Sequence, residues 1–246
     1  MQYYTSNDSH DILIREAQPS EAPLIADLYK TISVNDGNYR EKLSADSEQS
    51  FARRGGMFEI SDTSDILKRI TDTKEKVTVG LFDGDICSML WYGRWQGELP
   101  ELIPNDAGKE WSPKIRELYK EGKLGYSKEI ISVTTEASGV MPFALFANMM
   151  ADYANDGVTH TVGDVFRVDG YRDAEGFHET ELLNNASFHF LEKSGGIHLG
   201  CLKQKAVTID SFDVYITPYA FIWDTAKSYD TIIKILNNKG WETNDG

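Results

Sequence analysis

Apolar and polar positions succeed one another along the chain in blocks with two distinct periods. Ile12 and Ile14 alternate with Leu13 and Arg15, which predicts a strand. Ser20 then offers an N-cap oxygen ahead of Leu24, Ile25, Leu28, Tyr29 and Ile32, spaced for one face of a helix. Residues 33–62 are polar and carry Gly37, Gly55 and Gly56, so a loop or short helix is expected there. Ile66, Leu67 and Ile70 predict a brief amphipathic helix capped by Thr63 or Ser64. Two alternating runs, KVTVGLF and DICSMLWY, flank Asp83-Gly84, a dipeptide suited to the left-handed turn of a hairpin.

From Gly93 to Tyr126 the chain is punctuated by Gly and Pro around one helix, capped by Ser112 with Pro113 in its first turn and Gly122 beyond its end. SKEIISVT reads as a strand, TEASGV as a tight connection, PFALFANMMADYAN as a helix stopped by Gly157, and HTVGDVF as a second strand. Such a strand–helix–strand unit predicts two parallel strands in one sheet. After a polar stretch over 167–180 come a helix over about 182–193 before Gly195-Gly196, strands near 197–206 and 212–222, and a helix over about 229–238 ending at Gly240. The fold class is therefore α/β (α+β): a mixed, mostly antiparallel sheet flanked by helices. One domain is expected over 1–246, with a core over 12–222, insertions at 94–126 and 167–181, and a helical extension over 223–246.

Composition narrows the function classes. A hydrophobic fraction of 41% supports a packed core. No apolar run approaches the roughly 20 residues that span a bilayer, and the first residues lack the basic and apolar regions of an export signal, so a cytoplasmic protein is expected. The net charge of −14 repels nucleic-acid phosphates and anionic membranes. It could gather a cationic substrate such as a polyamine, an aminosugar or a lysine side chain, or simply keep the protein soluble. Cys87 and Cys201 both lie in strand-like apolar segments, where buried reduced thiols are expected. His160, His178, His189 and His198 are scattered over different elements without metal-site spacing, and no metal is expected.

The element order, together with two short runs, resembles the GCN5-related N-acetyltransferase (GNAT) family. In Val133–Phe143, Val133, Glu136 and Gly139 fit the strand end, the Pro-Glu pair and the first glycine of the family's acyl-CoA motif. Ser138 stands at the motif's arginine, and Met141 and Phe143 stand at its two later small positions. In NNASFHFLEKSGG, Asn184 and the Glu192-Lys193-x-Gly195 end fit a second signature, with Leu191 where many members carry a tyrosine. The resemblance implies a central parallel pair splayed near Val133, with acetyl-CoA or another acyl-CoA inserted there. It implies cofactor contacts from Val133, Thr134, Ser138, Gly139, Val140, Met141, Phe143, Ala144 and Asn184.

Physical chemistry supports the same place independently, because a strand-to-helix turn presents unpaired N–H groups and a positive dipole end to a phosphate. Attack of an amine on a thioester needs a base, and Glu129 on the preceding strand is the candidate. With Leu191 at the tyrosine position, Tyr126, Tyr92 or Tyr171 could supply a proton to the leaving thiolate. The expected acceptor is a small-molecule or peptide amine, in a pocket bounded by residues 33–62, Trp91–Trp95 and Arg167–Thr180, with Tyr39, Phe51, Trp95, Tyr171 and Phe177 as apolar wall and Asp36, Asp173 and Glu175 attracting the amine. The same insertions could instead cover the sheet or join two copies in a homodimer. The runner-up function is a GNAT-fold protein that has lost catalysis and binds a ligand or partner.

Overall fold

The computed structural model describes residues 2–7, 10–32, 61–97, 111–133, 137, 139–173, 176–209 and 212–243. In chain order its elements are β1 (Gln2–Ser6), β2 (Asp11–Glu16), α1 (Ala22–Ile32), α2 (Thr63–Thr71), β3 (Glu75–Phe82), β4 (Asp85–Arg94), α3 (Trp111–Lys120) and β5 (Leu124–Ser132). They continue with α4 (Met141–Asn155), β6 (His160–Asp173), β7 (Gly176–Leu183), α5 (Asn185–Lys193), β8 (Ile197–Cys201), β9 (Lys205–Ile209), β10 (Phe212–Asp224), α6 (Thr225–Asn238) and β11 (Trp241–Thr243). All strands join one sheet in the order β11-β1-β2-β3-β4-β5-β6-β10-β8, with β7 added to β6 and β9 to β10. Among the described pairings only β5–β6 is parallel, as the strand–helix–strand unit requires.

Successive side chains on a strand point to opposite faces, so the sheet divides its apolar residues between two layers. One face receives α4, whose Met141, Phe143–Met150 and Tyr153 are all buried. They pack with Tyr4, Ile12, Leu90, Phe221, Trp223 and the α6 residues Ile232 and Leu236. The opposite face receives α1 and α2 over Val77, Val79, Leu81, Met89 and Ile131. On that face α3 also lays Ile115 and Leu118 over Leu124, Val162, Ala220 and Ile222.

Several local expectations are corrected. The cap of α2 is Asp62, whose carboxylate accepts the Ser64 and Asp65 N–H groups at 2.7 and 2.9 Å. Ser20 lies inside a 3₁₀ turn, Pro19–Glu21, that precedes α1. The described residues of the polar stretch 167–180 are strand: β6 runs on to Asp173, and β7, from Gly176, pairs antiparallel with it. The strand near 197–206 is two short ones, β8 and β9. Strands β1 and β11, at one margin of the sheet, were not foreseen, because short polar strands carry no alternation to read. Cys87 is buried, but Cys201 is exposed.

The Asp83-Gly84 hairpin forms as its residues demand, both at positive φ (49° and 94°). No helix among the described residues is long and apolar enough to cross a membrane.

Candidate active site at the fork between β5 and β6

The parallel ladder runs from Leu124↔His160 to Ser127↔Gly163 and goes no further. The opening expected at Val133 therefore begins five residues earlier. Beyond it β5 remains paired with β4 through Ser132↔Ser88. On the other arm, β7 takes up the edge of β6 from Arg167↔Leu183 onward. Between the two ladders lie only Asp164, Val165 and Phe166. The fork is thus roofed by an added strand, and its register is set by a bulge in β5, where Trp91 pairs with Glu129 but Tyr92 pairs with Ser127.

Helix α4 begins at the head of the fork. Its N-cap, Val140, supplies no capping side chain. The Val140 and Met141 N–H groups both donate to the Ala137 carbonyl, at 2.9 and 2.8 Å, Pro142 has no N–H, and Ala144 bonds back to Val140. The N–H groups of Gly139 and Phe143 have no acceptor among the described residues, so the cradle is narrower than a full helix N-terminus. The Met141 and Phe143 side chains do not crowd it. Met141 is fully buried, its sulfur 2.5 Å from where a Cβ on Gly80 would lie. Phe143 turns inward to meet Phe190 edge-on at 5.0 Å.

Gly139 is exposed, and a Cβ there would stand 3.4 Å from Nζ of Lys239, at the end of α6. A glycine, orphan donors and an ammonium therefore meet at one point, which fits a pyrophosphate. Thr134, Ser138 and Glu136 lie outside the described residues. Val133 donates its N–H to Cys87 and packs between the two core layers. Val140 and Ala144 are buried, and the Asn184 side chain caps α5 by accepting the Ser187 N–H at 3.0 Å. Leu191 is buried in the main core cluster.

Glu129 is not an isolated strand-end charge. The Tyr29 hydroxyl donates to it, and Arg69 Nη1 lies 3.5 Å from its second oxygen. Arg69 also donates to Tyr29 at 2.5 Å and to Ser61 at 2.7 Å, and its guanidinium lies 4.1 Å from the Trp91 ring centroid. Burial, and then the Glu129 charge, push the Tyr29 hydroxyl far above its ordinary pKa, so it stays a donor. Lys128 brings a second cation to Trp91, 4.3 Å from its centroid, and pairs with Glu75, which also accepts the Trp91 indole N–H at 2.6 Å. Sequence reasoning passed over Tyr29 and Arg69, since both sit on helices whose periodicity marks them only as core and surface.

A cavity of about 410 Å³ opens on this face, lined by Glu75, Trp91, Arg94, Trp95, Tyr126 and Lys128. Trp91 and Trp95 lie on its wall. Residues 33–60 lie outside the described residues, and no described residue of 167–180 lines it. Tyr126 meets Trp95 edge-on at 4.7 Å and donates its hydroxyl to Asp164 at 2.9 Å. Of the alternative acids, Tyr92 donates to Asp152 at 2.5 Å on the α4 face, and Tyr171 stacks on His178.

At the level of sequence no family model matches, and no curated protein is similar enough to count as a relative. Structure is more informative. An uncharacterized protein from Bacillus halodurans superposes with a TM-score of 0.54 over 97% of this chain and 97% of its own, at 9% identity. The smu.2055 protein of Streptococcus mutans gives 0.53 over 87% of this chain and 99% of its own, at 12% identity. An N-acetyltransferase from Staphylococcus aureus Mu50 gives 0.50 over 87% and 98%, also at 12% identity. The fold is the GNAT fold. In that fold β5 and β6 are the splayed central parallel pair, with α4 connecting them.

Proposed function

We propose that the protein transfers an acyl group from acyl-CoA to an amine by direct attack. One observation carries this reading: the sheet parts after Ser127↔Gly163, and a helix N-terminus with unpaired Gly139 and Phe143 N–H groups and the Lys239 ammonium stands at the head of the gap. In this reading those groups hold the pyrophosphate, and the thioester lies along the unzipped edge of β5. Acyl-CoA, when bound, supplies the activated carbonyl. The cavity of Trp91, Trp95 and Tyr126 receives the acceptor, a small-molecule or peptide amine.

The Glu129 carboxylate would have to leave Arg69 and Tyr29 to act as base, so we assign it to fixing Arg69 against Trp91. Tyr126, at the base of the fork, gives its hydroxyl hydrogen to Asp164, so we do not assign it the thiolate's proton. The reading as a binder without turnover is favoured by one specific observation: Leu191, at the position of the missing acid, is built into the core.

Thermal shift with acetyl-CoA, followed by thiol release against spermidine, glucosamine and a lysine-containing peptide, separates the cases. Stabilisation by acetyl-CoA plus amine-dependent thiol release is the expected result. Stabilisation without release supports the binder, and no stabilisation refutes both.

A further inference from the structure

Three carboxylates stand around the acceptor face of the fork, and two already have cations. Glu129 is held by Arg69 and Glu75 by Lys128. The third, Asp164, is the first residue of β6 beyond the last parallel pair, Ser127↔Gly163. Its side chain is exposed, and its one hydrogen bond among the described residues is the Tyr126 hydroxyl at 2.9 Å. It lines a recess with Trp95, Tyr126 and Lys205, and the Lys205 charge acts on it from beyond ion-pair distance. Trp95 and Tyr126 also line the neighbouring larger cavity, so the two share a wall of aromatic rings.

We infer that Asp164 is the catalytic carboxylate of the acceptor site and that it selects a cationic, primary amine. This rests on the acyl-transfer reading above and adds the group that reads the acceptor. An ammonium in the cavity would face the negative edge of the recess on one side and the Trp95 and Tyr126 rings on the other, both favourable surroundings for a cation. Chemistry then follows from position. The bound ammonium gives one N–H proton to the Asp164 carboxylate and keeps the electron pair on nitrogen. That pair forms the C–N bond to the acyl carbon, the C–S bond breaks with its electrons leaving on sulfur, and the second nitrogen proton balances the thiolate as the amide forms. Asp164 finally returns its proton to water. The Tyr126 hydroxyl, by donating to one oxygen, turns the other toward the amine.

Asp164→Asn keeps the shape and the Tyr126 contact while removing the charge, and an exposed side chain makes loss of folding avoidable; equal melting temperatures check this. Calorimetry with spermidine, glucosamine and a lysine-containing peptide reads amine binding on its own. The wild type should bind at least one of them, and Asp164→Asn should bind it about fivefold or more weakly while its acetyl-CoA affinity is unchanged. With that amine, kcat/KM should fall about 100-fold, the scale of a lost general base, and Asp164→Glu should restore part of it. A wild type that binds none of the three amines, or an Asp164→Asn variant that binds or turns over amine like wild type, overturns the inference. Failure of acetyl-CoA to bind the wild type would instead refute the acyl-transfer reading, which the separate acetyl-CoA titration detects.

Discussion

The Tyr153 ring lies so close over Gly125 that a Cβ on the glycine would stand 2.6 Å from the ring's Cζ. The same side chain donates its hydroxyl to the Gly93 carbonyl at 2.6 Å and accepts the Tyr126 N–H at 3.2 Å. A single residue of α4 thus pins β4 to β5 at the foot of the fork. Gly125→Ala should cost about 1–3 kcal/mol, since the buried ring cannot step aside. Tyr153→Phe should lose a similar amount, about 1–3 kcal/mol, by stranding two buried backbone groups. Urea denaturation measures both, and a Gly125→Ala variant within experimental error of wild type would contradict the packing described.

Arg69 pairs with Glu129, and both side chains are largely buried. Arg69→Ala should destabilise the fold by about 3 kcal/mol, because it removes a largely buried counter-charge from the Glu129 carboxylate. Adding Glu129→Gln to that variant should recover stability. A double-mutant cycle reads the coupling, and additive losses would show that the pair is not the reason for the cost.

Acid sensitivity should have an identifiable contributor at the start of α1. The Arg15 guanidinium grips Glu21 with two hydrogen bonds, at 2.9 and 2.5 Å, and holds its carboxyl below the ordinary range, aided by the Gln18 N–H against the opposing effect of burial. A depressed folded-state pKa means stability that is present above the unfolded value of about 4.3 and lost as pH falls through the lower, folded one. Glu21→Gln should therefore be less stable than wild type at pH 7, with the difference shrinking toward pH 3. Denaturation midpoints at both pH values check it; a constant difference would assign the loss to packing.

The Met141 side chain fills the core beneath Gly80 instead of the cradle. Met141→Ala should cost about 2–5 kcal/mol through the cavity it leaves and should not tighten acetyl-CoA binding. Gly139→Asp, by contrast, puts a carboxylate beside Lys239 at the proposed phosphate position and should weaken acetyl-CoA binding about tenfold or more with little loss of stability. Acetyl-CoA titrations on both variants distinguish a filled core from a filled cradle.

The strand–helix–strand unit, the Asp-Gly hairpin and the two-layer core were legible because each has a strong local signal: a long apolar run, a left-handed turn, a 3.6-residue period. Parallel pairing followed from connection length alone. The point at which the ladder stops was not legible. It depends on the bulge at Trp91/Tyr92 and on β7 competing for the edge of β6, both of which are tertiary. The β7 residues read as a polar stretch because their burial alternates only between half-buried and exposed. At the site, Tyr126 and Glu129 could be singled out by type and place, but the partners that decide their roles, Asp164 and Arg69, come from segments 38 and 60 residues away in sequence. Lys239 is farther still from Gly139, and only the run of α6 across α4 brings them together.

Pairing of β1 with β11 joins Tyr4 to Thr243 and Ser6 to Trp241. The two strands lie far apart along the chain, so β11 is synthesised long after β1. Until the end of α6 has left the ribosome, the outer edge of β1 stays open to any other extended chain, and the N-terminal layer must wait, or be shielded, while the rest of the sheet assembles. The order in which the polypeptide emerges, and not only its final contacts, thereby sets when this protein becomes safe from misassembly.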